Sequence, residues 1–148
     1  MKHIIQEEPT GCAIASAAAI SGISYLEAKK VANSIAIYAD DPALWSETDY
    51  ICRLLHHLNV KTGSKEVPFK DWALLPDCAL LSIKWHLENS KAYWHWVVFV
   101  RDKDKSYVLD SKKNLKTNVR TDFGRMKPKW YIEVELPEIN NIQMEYNE

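Results

Sequence analysis

Cysteine is scarce in this chain of 148 residues: only Cys12, Cys52 and Cys78 occur, an odd number with no CxxC pair. That usage argues against a disulfide framework and against a structural zinc site, and it suits a reducing compartment. A dominant charge is missing too. The 19 Lys and Arg residues against 20 Asp and Glu leave a formal charge of −1, so neither nucleic acid nor an anionic membrane surface meets a basic field. No run of roughly 18 apolar residues exists to cross a bilayer. The opening Met1-Lys2-His3-Ile4-Ile5-Gln6-Glu7-Glu8 lacks the apolar core of a signal peptide, and the cytoplasm is the expected location. Internal repeats and low-complexity segments are also absent.

What is present is enough chain for one domain with a substantial core. We expect that domain to span residues 1–136, with the polar, acidic stretch 137–148 as a loosely attached tail. Six tryptophans and seven tyrosines are many for this length. They fit either a heavily aromatic core or a groove lined for a peptide-like ligand.

The stretch the rest can be organised around runs from Gln6 to Ser21. Pro9, Thr10 and Gly11 resist helix formation, whereas Ala13, Ala15, Ala17, Ala18 and Ala19 favour it, so a helix should open at or beside Cys12. The alanines carry little volume and let neighbouring elements approach closely, which makes this a central helix. At its start, unpaired N–H groups and the positive end of the dipole favour a thiolate, and the same groups can hold an oxyanion. Taken singly, a cysteine in such a helix is more often a small core residue than a nucleophile.

Gly22 is placed to cap this helix, and Ser24 to Glu27 has the form of a capping box that opens a second helix reaching about Ile35. Its expected apolar stripe is Leu26, Val31 and Ile35 with Ala28 and Ala32, and Lys29 and Lys30 face outwards. Tyr38 to Ser46 reads as a loop. Thr48 is a candidate cap for a third helix whose Ile51, Leu54, Leu55 and Leu58 recur at helical spacing, with Cys52 on or beside the buried side. His56 and His57 end that helix; as adjacent residues they diverge, and no metal-ligand spacing accompanies them. A short turn or helix is expected from Phe69 to Leu75. Four strand-like segments follow, 78–86, 93–101, 106–110 and 129–136, separated by turn-forming clusters. Helices first and an antiparallel sheet second define an α+β fold.

A cysteine nucleophile needs a base, and the base needs an orienting group. His95 lies in a strand that is apolar on both faces, where an unpartnered imidazole would be costly. If the chain turns symmetrically about Asp102 to Lys105, Arg101 opposes Ser106, Phe99 opposes Val108 and Val97 opposes Asp110. Asp110 then lies diagonally next to His95 on one face, and a register slip of one residue would separate them. His86 is a rival base near a strand end, with no carboxylate evident to orient it. Singly, His95 reads as a satisfied core histidine and Asp110 as the start of a turn; as a pair on one face they carry more weight.

At Gln6, Cys12, His95 and Asp110 the chain resembles the papain-like cysteine peptidases, and most closely the bacteriocin-processing peptidases that cut leader peptides after a double glycine. There too a glutamine precedes the cysteine by six residues, and the cysteine opens an alanine-rich helix. His95-Trp96-Val97-Val98 and Val108-Leu109-Asp110 resemble the family's histidine and aspartate strands. The resemblance spans residues 6–111. Family members commonly carry Gly after the cysteine and Pro after the aspartate, where this chain has Ala13 and Ser111, and the double-glycine processors are usually fused to membrane transporters. The resemblance implies a helix bearing Cys12 packed on a C-terminal sheet, with Cys12 as nucleophile, His95 as base, Asp110 as orienter and Gln6 as oxyanion donor. It implies a peptide or protein substrate and neither metal nor cofactor. Two alternatives share the same residues: glutamine deamidation or transglutamination on a side-chain amide, and a catalytically silent module that binds a peptide or protein.

Overall fold

The computed structural model describes residues 1–136; the expected tail, 137–148, lies outside the described residues. Helix α1 spans Cys12–Ser21 and ends at Gly22, whose φ of 71° gives the left-handed turn that glycine adopts without strain. Every residue from Cys12 to Ile20 is buried, because the small side chains let α2 (Tyr25–Ser34), α3 (Asp49–His57) and the sheet all close on one helix.

The Ser24 Oγ accepts a hydrogen bond from the Glu27 N–H at 3.1 Å, which starts α2 as the sequence indicates. The buried side of α2 is the expected one for Ala28, Val31, Ala32 and Ile35, but not for Leu26. Tyr25, Ala28 and Ala32 face the core, while Leu26 is 56% exposed. Tyr25 sits three residues before Ala28, in phase with it, and Leu26 is turned by about 100° from that stripe. Nor is Lys29 simply an outward charge, since it pairs with Glu8 at 2.5 Å. Thr48 precedes α3 without capping it through its side chain, and its hydroxyl donates to Glu66 instead. Within α3, Ile51, Leu54 and Leu55 are buried as expected, and Cys52 packs at the margin of the core. A short 3-10 turn, Pro42–Trp45, lies in the expected loop, and another, Trp72–Leu74, lies in the expected 69–75 segment.

Seven strands occur among the described residues: β1 (Lys61–Thr62), β2 (Val67–Pro68), β3 (Cys78–Glu88), β4 (Lys91–Asp102), β5 (Lys105–Leu109), β6 (Val119–Arg120) and β7 (Trp130–Glu135). They form one antiparallel sheet in the order β1-β7-β3-β4-β5-β6, with β2 also beside β7. The class is therefore α+β. Three two-residue strands, β1, β2 and β6, add to the four expected ones; pieces this short leave no period in the sequence.

Alternation divides the core into two clusters. Leu80, Trp94, Trp96 and Val98 meet the helices, while Leu81, Val97, Phe99 and Val108 meet Trp72, Phe123 and Met126 across the other face. The hairpin from β4 to β5 has the anticipated register, with Arg101 opposite Ser106 and Phe99 opposite Val108. In the β3–β4 hairpin, Asn89 and Ser90 both adopt positive φ, the twist of a tight two-residue turn.

Candidate active site

Gly11 precedes α1 and Cys12 occupies its first turn. Its own N–H and those just after it have no acceptor within the helix, so the thiol stands where a helix holds developing negative charge. The segment leading to it is fixed by side chains. Glu8 accepts from Tyr25 Oη and from Lys29 Nζ, each at 2.5 Å, and its carbonyl accepts the Gly11 N–H at 3.0 Å. Thr10 donates to the Ala39 carbonyl, tying the same segment to the loop after α2. The Gln6 N–H reaches the Ser111 carbonyl at 2.9 Å and fastens the approach to α1 beside the end of β5.

His95 projects from β4 upstream of Val98, where the β4–β5 pairing begins. Its Nε2 lies 2.8 Å from Asp110 Oδ1, so Nδ1 is the ring nitrogen left for the thiol. Burial opposes the imidazolium, but the Asp110 hydrogen bond and the neighbouring Cys12 side chain, with the charges of both, outweigh it. They push the His95 pKa up to about 9. Asp110 is fully buried. Burial alone would raise its pKa, yet His95, the Lys112 N–H and Arg120 hold the carboxyl well below the usual carboxylate range. The geometry explains the last two: the Lys112 N–H donates to Oδ1 at 3.1 Å, and Arg120 Nη1 donates to Oδ2 at 3.0 Å. Arg120 is itself held by Asp122 through two hydrogen bonds, and Asn118 Nδ2 donates to the Asp110 carbonyl at 2.7 Å.

The structure thus brings Cys12, His95 and Asp110 together. Gln6 is nearby and its amide is fully engaged: Nε2 donates to the carbonyls of Glu8 and Pro9 at 3.1 and 2.9 Å, and Oε1 accepts from Ser111 Oγ at 2.8 Å. Donation to an oxyanion requires one of the first two bonds to be given up. His86, on the exposed arm of β3, lines the same groove as His95 but bonds neither Cys12 nor Asp110. Contrary to expectation a carboxylate does face it, Glu88 at 3.3 Å, and its ring stacks on Tyr93 at 6.1 Å.

Sequence reasoning missed Arg120, Asn118 and Ser111. The first two come from the polar segment after β5, which carries no periodic signal. Ser111 stands where the resembling family has proline, and that hydroxyl is the clue that could have found it. A groove of about 500 Å³ opens beside His95, with Trp45, Tyr93 and Trp94 among its walls. Tryptophans thus contribute both to the core, where Trp96 is wholly buried, and to the wall of this groove. No protein-family model matches the chain, and no curated protein matches it.

Proposed function

We propose that the protein is a papain-like cysteine peptidase that transfers the acyl part of a peptide amide to Cys12 and then to water. The observation that carries this reading is the His95 imidazole held by the buried Asp110 carboxylate on one side and next to the Cys12 thiol on the other. In the reaction His95 takes the proton of the Cys12 thiol as Sγ bonds to the carbonyl carbon, and charge on the oxygen is met by the N–H groups of the helix start and by Gln6. His95 protonates the departing amine as the carbon–nitrogen bond breaks. Water, losing its proton to His95, then hydrolyses the thioester.

Two observations favour the silent binding module instead: Cys12 is 0% exposed, and both amide donors of Gln6 are occupied. Thiol reactivity separates the two readings. By exposure alone Cys52 would react first, because Cys78 and Cys12 are buried. Burial also pushes the Cys78 thiol up to about 12 and raises that of Cys52. Under limiting iodoacetamide at neutral pH, followed by peptide mass mapping, a peptidase loses Cys12 first against the order of exposure. Labelling that begins at Cys52 and leaves Cys12 intact would overturn the peptidase reading.

A further inference from the structure

The groove beside His95 holds charges that the proposed triad does not use. Most have partners of their own: Glu8 pairs with Lys29, Glu88 faces His86, and Lys113 Nζ donates to the Glu7 carbonyl at 3.0 Å. Lys84 and Lys112 are different. Both line the groove, and neither makes an ion pair among the described residues. Glu7, the remaining carboxylate of the rim, makes none with them either. The Asp110 charge acts on Lys84, but His95, Arg120 and the Lys112 N–H already occupy that carboxylate.

The two side chains line the same groove. After burial, the charge of Lys112 is the foremost cause of a lowered Lys84 pKa. Lys84 reaches this position through a bulge: the β3–β4 register shifts between Ile83 and His86, and Lys84 takes a φ of 55°. A non-glycine residue enters that region only with strain, and bulges of this kind re-aim side chains. Two like charges brought together by a strained strand, with no counter-ion of their own, match an anionic group on a ligand. Peptides carry such a group as a carboxylate.

We infer that Lys84 and Lys112 form a carboxylate subsite, and that the substrate bears an acidic group close to the amide attacked by Cys12. The group is either an Asp or Glu side chain or a free C-terminus. This rests on the peptidase reading for its substrate, while the binding itself can be measured without turnover.

The test uses the full chain carrying Cys12→Ala, titrated by NMR with acetyl-Gly-Ala-Glu-amide, acetyl-Gly-Ala-Gln with a free C-terminus, and neutral acetyl-Gly-Ala-Gln-amide. At least one carboxylate peptide should bind roughly fivefold more tightly than the neutral one, as expected for two exposed charge contacts. Which of the two does so identifies the source of the carboxylate. The preference should vanish in Lys84→Gln/Lys112→Gln and turn towards acetyl-Gly-Ala-Lys-amide in Lys84→Glu/Lys112→Glu. Equal binding of all three peptides, or a preference that survives the double glutamine substitution, would overturn the subsite. Wild-type turnover without carboxylate preference removes the subsite and leaves the peptidase. Selective binding without any Cys12-dependent turnover keeps the subsite and removes the peptidase.

Discussion

At the scale of single residues, the site depends on how the Asp110 charge is shared. One carboxylate oxygen serves His95 and the Lys112 N–H, and the other serves Arg120. Two substitutions should therefore move the imidazole in opposite directions. Asp110→Asn removes the charge that outweighs burial, so the His95 pKa should fall from about 9 towards or below the ordinary imidazole value. Arg120→Gln removes a cation that competes for the same carboxylate, so His95 should titrate at least as high as in the wild type. NMR titration of the His95 ring protons reads both, and a common direction would refute this account. For the proposed peptidase Arg120 would be a positioning residue: Arg120→Gln should lower kcat with little change in KM, whereas Cys12→Ala should abolish activity. Asp110 was legible from residue spacing because a two-residue turn sets the register of its strand. Arg120 was not, since Val119–Arg120 pairs with β5 for only two residues within a polar segment.

Among the elements, α1 carries the most consequence, and its entry is packed without spare room. A Cβ at Gly11 would collide with the Tyr25 hydroxyl and press on the Glu8 carbonyl at 3.1 Å and Gln6 Cβ at 3.3 Å. The tyrosine has little freedom to retreat while its hydroxyl bonds Glu8 at 2.5 Å. Gly11→Ala should cost about 1–3 kcal/mol, in the range of overpacking, and slow turnover because the same carbonyl accepts from Gln6. Urea unfolding of the single and double variants checks the cause. Tyr25→Phe takes away the colliding oxygen, so adding it to Gly11→Ala should restore part of the lost stability; two independent losses that simply add would refute the collision. The sequence announced α1 through its alanines and Gly22. It did not announce Tyr25, because Leu26 beside it offered a more apolar stripe and only the contact with Glu8 and Gly11 explains why an aromatic hydroxyl faces inwards.

For the whole molecule, the sheet is the divider, with helices α1–α3 on one face and the Trp72, Phe123 and Met126 cluster on the other. The hairpins were legible from their turns, but the second cluster was not, since it gathers short pieces separated by many residues. The His95–Asp110 pair is built into this framework, so its ionisation is linked to the stability of the fold. His95 has a folded pKa near 9, above its unfolded value of about 6.5. Its contribution is therefore fully present below about pH 6.5 and is lost as pH rises through 9. Asp110 is depressed in the fold, so its contribution is present above about pH 4 and is lost as pH falls further. Together these set a plateau from about pH 4 to 6.5. For His95 the loss on the alkaline side amounts to at most about 3 kcal/mol. Urea unfolding of the wild type at pH 6 and pH 9.5 should show that decline, and His95→Gln, which cannot titrate, should show a much flatter one. A His95→Gln protein that loses as much stability as the wild type over the same interval would assign the alkaline limb to other groups and detach the imidazole from the fold's pH dependence.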